Sequence, residues 1–157
     1  MRHALNAAFI LMLSLTENAL SDGHAAISDE FNADEVTYVV TMTTNKKSVA
    51  EIDNFSAVYQ KFVEGNEPET LAWQFFRGPE GKIFLIERYK NAKAALQHVI
   101  NISPGGLAEA KFEEFSDHFK IERILVHGNT SVDLLEALDA TGLPLEFRTS
   151  ISGYSRD

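Results

Sequence analysis

"LIERYKNAKAALQHV" (Leu85–Val99) opens as an extended apolar run and continues at helical spacing. Read backward, "KIFLIERY" (82–89) predicts a strand that is apolar on both faces. Ile83 and Leu85 lie on one face, Phe84 and Ile86 on the other. "TLAWQFFRG" (70–78) repeats the pattern, with Leu71, Trp73 and Phe75 against Ala72 and Phe76. "GPEGK" (78–82) between them is a tight turn, so the two strands form a hairpin. Read forward, Asn91 can cap a helix that runs to about Asn101, where "SPGG" (103–106) breaks it.

The flanking chain completes a unit around this hairpin. "VTYVVTMTT" (36–44) alternates Val36, Tyr38, Val40 and Met42 against threonines and predicts the first strand. Ser48 and Glu51 form a capping box, and Ile52, Phe55, Tyr59, Phe62 and Val63 recur as one helix face ending near Gly65. A second helical piece places Ala108, Phe112 and Phe115 on one side, and "HFKIERILVHG" (118–128) predicts a fourth strand. The order β-α-β-β-α-β predicts an α+β fold, the ferredoxin-like split unit, over residues 35–128. Residues 129–157 add a helix, begun at Thr130 and Asp133 and stopped at Gly142, and an extended segment "PLEFRTSISGYS" (144–155).

The double apolar faces carry a further consequence. An antiparallel sheet with one wet face alternates apolar and polar residues. The helices of the split unit cover only one face. The second face therefore needs the same face of another copy, making a homodimer, or else the C-terminal helix of the same chain.

The 157 residues suit one domain, and 45% apolar content with eleven Phe marks it as globular. A net charge of −9, with fourteen unclustered basic residues, argues against nucleic acid as a partner. The absence of cysteine excludes disulfides, thiolate zinc sites, iron–sulfur clusters and a cysteine nucleophile. At the N-terminus, Arg2 precedes an apolar run from Ala4 to Leu15, too short to span a bilayer. With Gly23-His24-Ala25 after it, the segment 1–25 predicts a signal peptide, export, and no integral membrane segment after processing. An N-terminal helix packed on the domain is the alternative. Residues 26–34 read as a lead-in.

Over residues 36–128 the sequence resembles the antibiotic biosynthesis monooxygenase (ABM) superfamily of dimeric α+β barrels. The resemblance rests on "VTYVVTM", on the hairpin, and most on "ERYKNAKAALQHV". Glu87 and Tyr89 match that family's Glu-x-aromatic strand end, and Ala94 and His98 its Ala and His on the next helix. "FRTSISGYSR" resembles the ending of longer bacterial members. The resemblance implies a homodimer and, for some members, oxidation of quinols or phenols by O2 without metal, flavin or other cofactor. Haem-degrading members resemble this chain least. Their strand-one Asn and strand-three Trp are replaced here by Thr41 or Thr43 and by Tyr89.

Cofactor-free oxygenation needs a flat apolar slot, a base near a phenol and a polar group for the developing anion. His98 is the candidate base. If the buried stripe of its helix is Ala92, Leu96, Val99 and Ile100, His98 points away from the core. If the stripe is Ala95, Val99 and Ile102, His98 can reach a cavity. Trp73, Tyr89 and Tyr38 are candidate walls for a small aromatic substrate, or plain core residues. Glu87, on an apolar strand face, must be paired or functional, with Arg88 and Arg123 as possible partners across strands, although Arg88 itself points to the opposite face. His118 and His127, at odd separation on one strand, cannot share a metal, and no metal-binding motif is evident.

Overall fold

The computed structural model describes residues 34–153. The expected signal segment and the lead-in up to residue 33 lie outside the described residues, as do residues 154–157. The elements are β1 (Val36–Thr44), α1 (Val49–Asn66), β2 (Thr70–Arg77), a single 3-10 turn at Pro79–Gly81, β3 (Lys82–Tyr89), α2 (Ala92–Ile102), α3 (Glu109–His118), β4 (Phe119–Gly128), α4 (Val132–Ala140) and β5 (Leu145–Arg148).

The sheet order is β2-β3-β1-β4-β5. The first four strands pair antiparallel, as the ferredoxin-like unit requires, and β5 adds parallel to the edge of β4. Ser48 makes the expected capping box with Glu51 at the start of α1. Asn91 caps α2, its side-chain oxygen accepting from the Ala94 N–H at 2.9 Å.

Alternation decides the faces. Val36, Tyr38, Val40 and Met42 of β1 are buried, and opposite them stand Tyr89, Glu87, Leu85 and Ile83 of β3, also buried. Onto this face pack Ile52, Phe55, Tyr59 and Val63 of α1, Ala95 and Val99 of α2, Phe115 of α3, and Leu134 and Leu138 of α4. The opposite face carries Val39, Phe84, Ile86 and Leu125, all half-buried, and Phe76, which is 45% exposed.

Four expectations are corrected. The C-terminal helix does not cover the second sheet face; α4 packs on α2 and joins the first core. Its cap is Ser131, whose hydroxyl accepts from the Leu134 N–H, rather than Thr130. His118 ends α3 instead of opening β4, because its Nδ1–H closes a turn onto the Glu114 carbonyl at 2.7 Å and its ring stacks on Phe55. The last extended segment forms a strand only over Leu145–Arg148, the stretch that finds a partner on β4.

One glycine fixes the geometry beside the site. A Cβ on Gly106 would collide with the carbonyl oxygens of Ile100 and Asn101, so the α2–α3 turn can fold tightly over the end of α2. The Ala108 N–H then donates to the Asn101 carbonyl at 2.7 Å.

Candidate functional site

Three residues stand side by side across adjacent strands on the helix-covered face: Trp73 of β2, Glu87 of β3 and Tyr38 of β1. Above this row α2 places His98, which is 5% exposed. The helix is rolled onto its Ala95 and Val99 stripe, with Ile100 turned outward, so the second of the two sequence readings holds. The His98 ring lies 5.2 Å from Trp73 and 5.5 Å from Tyr89, centroid to centroid.

Glu67 sits where α1 ends, and its carboxylate reaches back to α2. His98 Nδ1 is 3.1 Å from Oε1 and 3.0 Å from Oε2. The Asn101 amide donates to Oε1 at 3.0 Å, and the Thr70 hydroxyl to Oε2 at 3.1 Å. The Gln97 amide donates to Asn101 Oδ1 at 2.9 Å, which orients the Asn101 side chain. Nδ1 is thus committed to Glu67, and Nε2 is the ring nitrogen left for a ligand.

Glu87 is held differently. The Tyr89 hydroxyl donates to its Oε2 at 2.5 Å. Neither expected arginine reaches it. Arg88 points to the other face and pairs with Glu35 at 2.9 Å. Arg123 stands opposite Thr41 on that same far face, is exposed, and lies outside the site.

Burial and charge set the protonation states. Burial is the largest influence on His98 and pulls its pKa down. The hydrogen bond to Glu67 and the charges of Glu87 and Glu67 outweigh it and hold His98 above its ordinary value. Glu67 is also penalised most by burial, yet His98, Asn101 and Thr70 together bring it below the ordinary range. For Glu87 burial wins: its carboxyl is raised, although His98 and the Tyr89 hydroxyl pull the other way. Burial likewise keeps Tyr38, Tyr59 and Tyr89 as neutral phenols.

Tyr38, Tyr59, Trp73, Glu87 and His98 line the inner end of a cavity of about 40 Å³. Its outer end is bounded by Ile102, Phe112, Thr141 and Leu143, which also line a wider hollow of about 510 Å³ between α2, α3 and α4. The site therefore joins an imidazole backed by a carboxylate, a second carboxyl biased toward its neutral form, and aromatic walls. Such a set can accept a proton, return it, and donate hydrogen bonds to a ligand oxygen.

Of the residues singled out in the sequence, Tyr38, Trp73, Glu87 and His98 meet at the cavity. Tyr89 stands behind Glu87 as its hydrogen-bond donor rather than as a wall. Glu67, Asn101 and Tyr59 carry no motif. Asn101 follows His98 by three helical positions, and that spacing is a usable signal. Glu67, in "EGNEPET" after the last apolar turn of α1, offers none. Among the described residues no cluster of three His, Asp or Glu is placed to hold a metal ion.

No family model matches the chain, and no curated protein matches it. Among solved structures, it is similar to MupZ from Pseudomonas fluorescens, with a TM-score of 0.60 and 23% identity over 78% of this chain and 95% of that one. It is also similar to SnoaB, a cofactor-independent oxygenase from Streptomyces nogalater, with a TM-score of 0.49 and 16% identity over 63% of this chain and 96% of that one. At these identities the likeness concerns backbone alone. The chain has an antibiotic biosynthesis monooxygenase-type fold.

Proposed function

We propose that this chain is a small oxygenase that oxidises a quinol or another aromatic phenol with O2, drawing on no bound cofactor. One observation carries the reading. His98 has Nδ1 held by Glu67 at 3.0 Å and its other ring nitrogen free to serve an aromatic-walled cavity.

His98 takes the phenolic proton through Nε2. Its raised pKa narrows the gap to a phenol, whose own pKa is about 10. The phenolate passes one electron to O2, and the resulting radical pair joins in a C–O bond at a ring carbon bearing hydrogen. The peroxide takes a proton. The ring C–H proton is then lost as the O–O bond breaks, leaving a quinone carbonyl and one water. Glu67 stabilises the imidazolium throughout, and the apolar walls keep bulk water from the radical pair.

Oxygen uptake by the purified chain over a panel of hydroquinones and naphthols tests this. Uptake that His98→Ala abolishes is the expected result. No uptake above that variant across the panel overturns it.

A second reading, a non-catalytic module that binds a small ligand or only dimerises, is favoured by the size of the inner cavity. It measures about 40 Å³, whereas an engineered cavity that holds benzene is about 150 Å³. Ligand binding without oxygen uptake identifies this case. In either reading the half-buried second sheet face, with Phe84, Ile86 and Leu125, is covered by the same face of a second copy. Residues 1–25 direct export, which the N-terminal sequence of the mature protein from its host decides.

A further inference from the structure

Two buried hydrogen-bond donors at the inner end of the cavity have no protein partner: Tyr38 Oη and Trp73 Nε1. Their residues are 4% and 9% exposed. Orphaned buried donors weaken a fold, so each calls for an explanation. Here they occur as a pair, on the strands either side of Glu87, and both residues line the same space. An indole N–H can only donate. The phenol of Tyr38 stays neutral in its buried setting and donates as well.

We propose that the ligand enters oxygen-first between α2, α3 and α4, and that Tyr38 and Trp73 donate hydrogen bonds to that leading oxygen. An oxygen with two lone pairs, as in a ketone, quinone or phenol, matches two donors arriving from neighbouring strands. His98 stands over the same row, so the oxygen that is held is also the one whose proton can be exchanged.

The space beyond sets the rest of the ligand. The cavity as a whole, at about 40 Å³, admits only the oxygen-bearing tip. The body lies in the outer hollow of about 510 Å³, between Ile102, Phe112, Ala137 and Leu143. Glu109 and Glu113 are the charged residues lining that hollow, and neither Lys nor Arg is among its lining residues. The ligand class is thus a flat, uncharged or weakly acidic carbonyl or phenol with an apolar body, and a carboxylated analogue is disfavoured.

This inference rests on the cavity being a ligand site, as proposed above, but not on oxygen chemistry. Calorimetric titration of the full chain under nitrogen with 1-tetralone, and with tetralin as its oxygen-free counterpart, tests it. The ketone binds, and tetralin binds about tenfold or more weakly, as expected for lost hydrogen bonds to buried donors. Tyr38→Phe and Trp73→Phe each weaken tetralone binding several-fold and leave tetralin unaffected. Without ligand, Tyr38→Phe melts no lower than the parent, because it removes an unpaired donor. Equal binding of ketone and hydrocarbon, unchanged ketone affinity in Tyr38→Phe, or no binding of tetralone by the parent overturns the proposal. Retained ketone discrimination in a chain that consumes no oxygen sinks only the oxygenase reading. Oxygen uptake without ketone discrimination sinks only this one.

Discussion

Glu67 Oε2 and His98 Nδ1 lie 3.0 Å apart although 31 positions separate them in the chain. One residue closes α1 and the other rides mid-helix on α2, so the contact joins the two helices that flank the hairpin. Both groups are buried. A pair of this kind is costly to break, because removing one partner strands the other charge.

Glu67→Gln tests the pair directly. The carboxylate is the main force holding His98 above its ordinary pKa against burial. Without it burial prevails, and the imidazole titrates below the parent value. NMR of the imidazole C2 proton over pH reads this without any assay of activity. If His98 is the base, the rising limb of the rate against pH moves to lower pH in the same variant. An unmoved imidazole titration contradicts the assignment. The global cost is about 3 kcal/mol, measured by urea unfolding.

Glu87→Gln behaves oppositely. The Glu87 carboxyl has a folded pKa raised above its unfolded value of about 4.3. A raised folded pKa means the folded state holds the proton longer, so this group costs stability as pH climbs from about 4.3 to the folded pKa. His98, also raised, adds stability that is complete below about 6.5 and is lost as pH rises through its folded pKa. Gln at position 87 removes the first cost and keeps an acceptor for the Tyr89 hydroxyl. The melting temperature of the variant therefore gains on the parent as pH climbs from about 4.3 through the folded pKa of Glu87. A constant or shrinking gap refutes the raised pKa of the Glu87 carboxyl.

Asn91→Ala removes the cap of the helix that carries His98. The Asn91 side chain accepts from the Ala94 N–H at 2.9 Å. Its loss costs about 1 kcal/mol in urea unfolding. Because the first turn of α2 also frays, amide exchange speeds at Ala94 and Ala95 before it does at Val99. Uniform exchange along α2 argues against the cap as its anchor.

Ile86→Glu tests the second sheet face. Light scattering at tens of micromolar gives twice the chain mass for the parent and a monomer for the variant. A parent that is already monomeric ends the proposal of a paired sheet. Equal helical content by circular dichroism shows that the variant still folds, since Ile86 lies away from the helix-covered core.

Much of the fold is written in short-range pattern. Period-two alternation in "VTYVVTMTT", the Ser48–Glu51 box and the Asn91 cap mark elements whose local chemistry matches their final place. The site is less legible, because its decisive contact joins residues with no common period. The stripe of α2 permitted two rolls, and only packing against β3 and α4 selected the one that buries His98. The pairing of Glu87 with Tyr89 joins two positions on one strand face, whereas the sequence pointed to arginines, and the register places Arg123 on the far side. The extension beyond β4 was the least predictable, since β5 has only four residues and depends on its neighbour for definition.

That extension has an architectural consequence. The row of Trp73, Glu87 and Tyr38 belongs to the first three strands, and His98 and Glu67 to the helices between strands, whereas Thr141 and Leu143 at the cavity mouth come from the segment that follows β4 and adds β5 to the sheet edge. Doorway and reaction centre are therefore coupled through one appended helix. Exchanging the 132–148 segment would change what is admitted and, because α4 packs on α2, would also change how His98 is held.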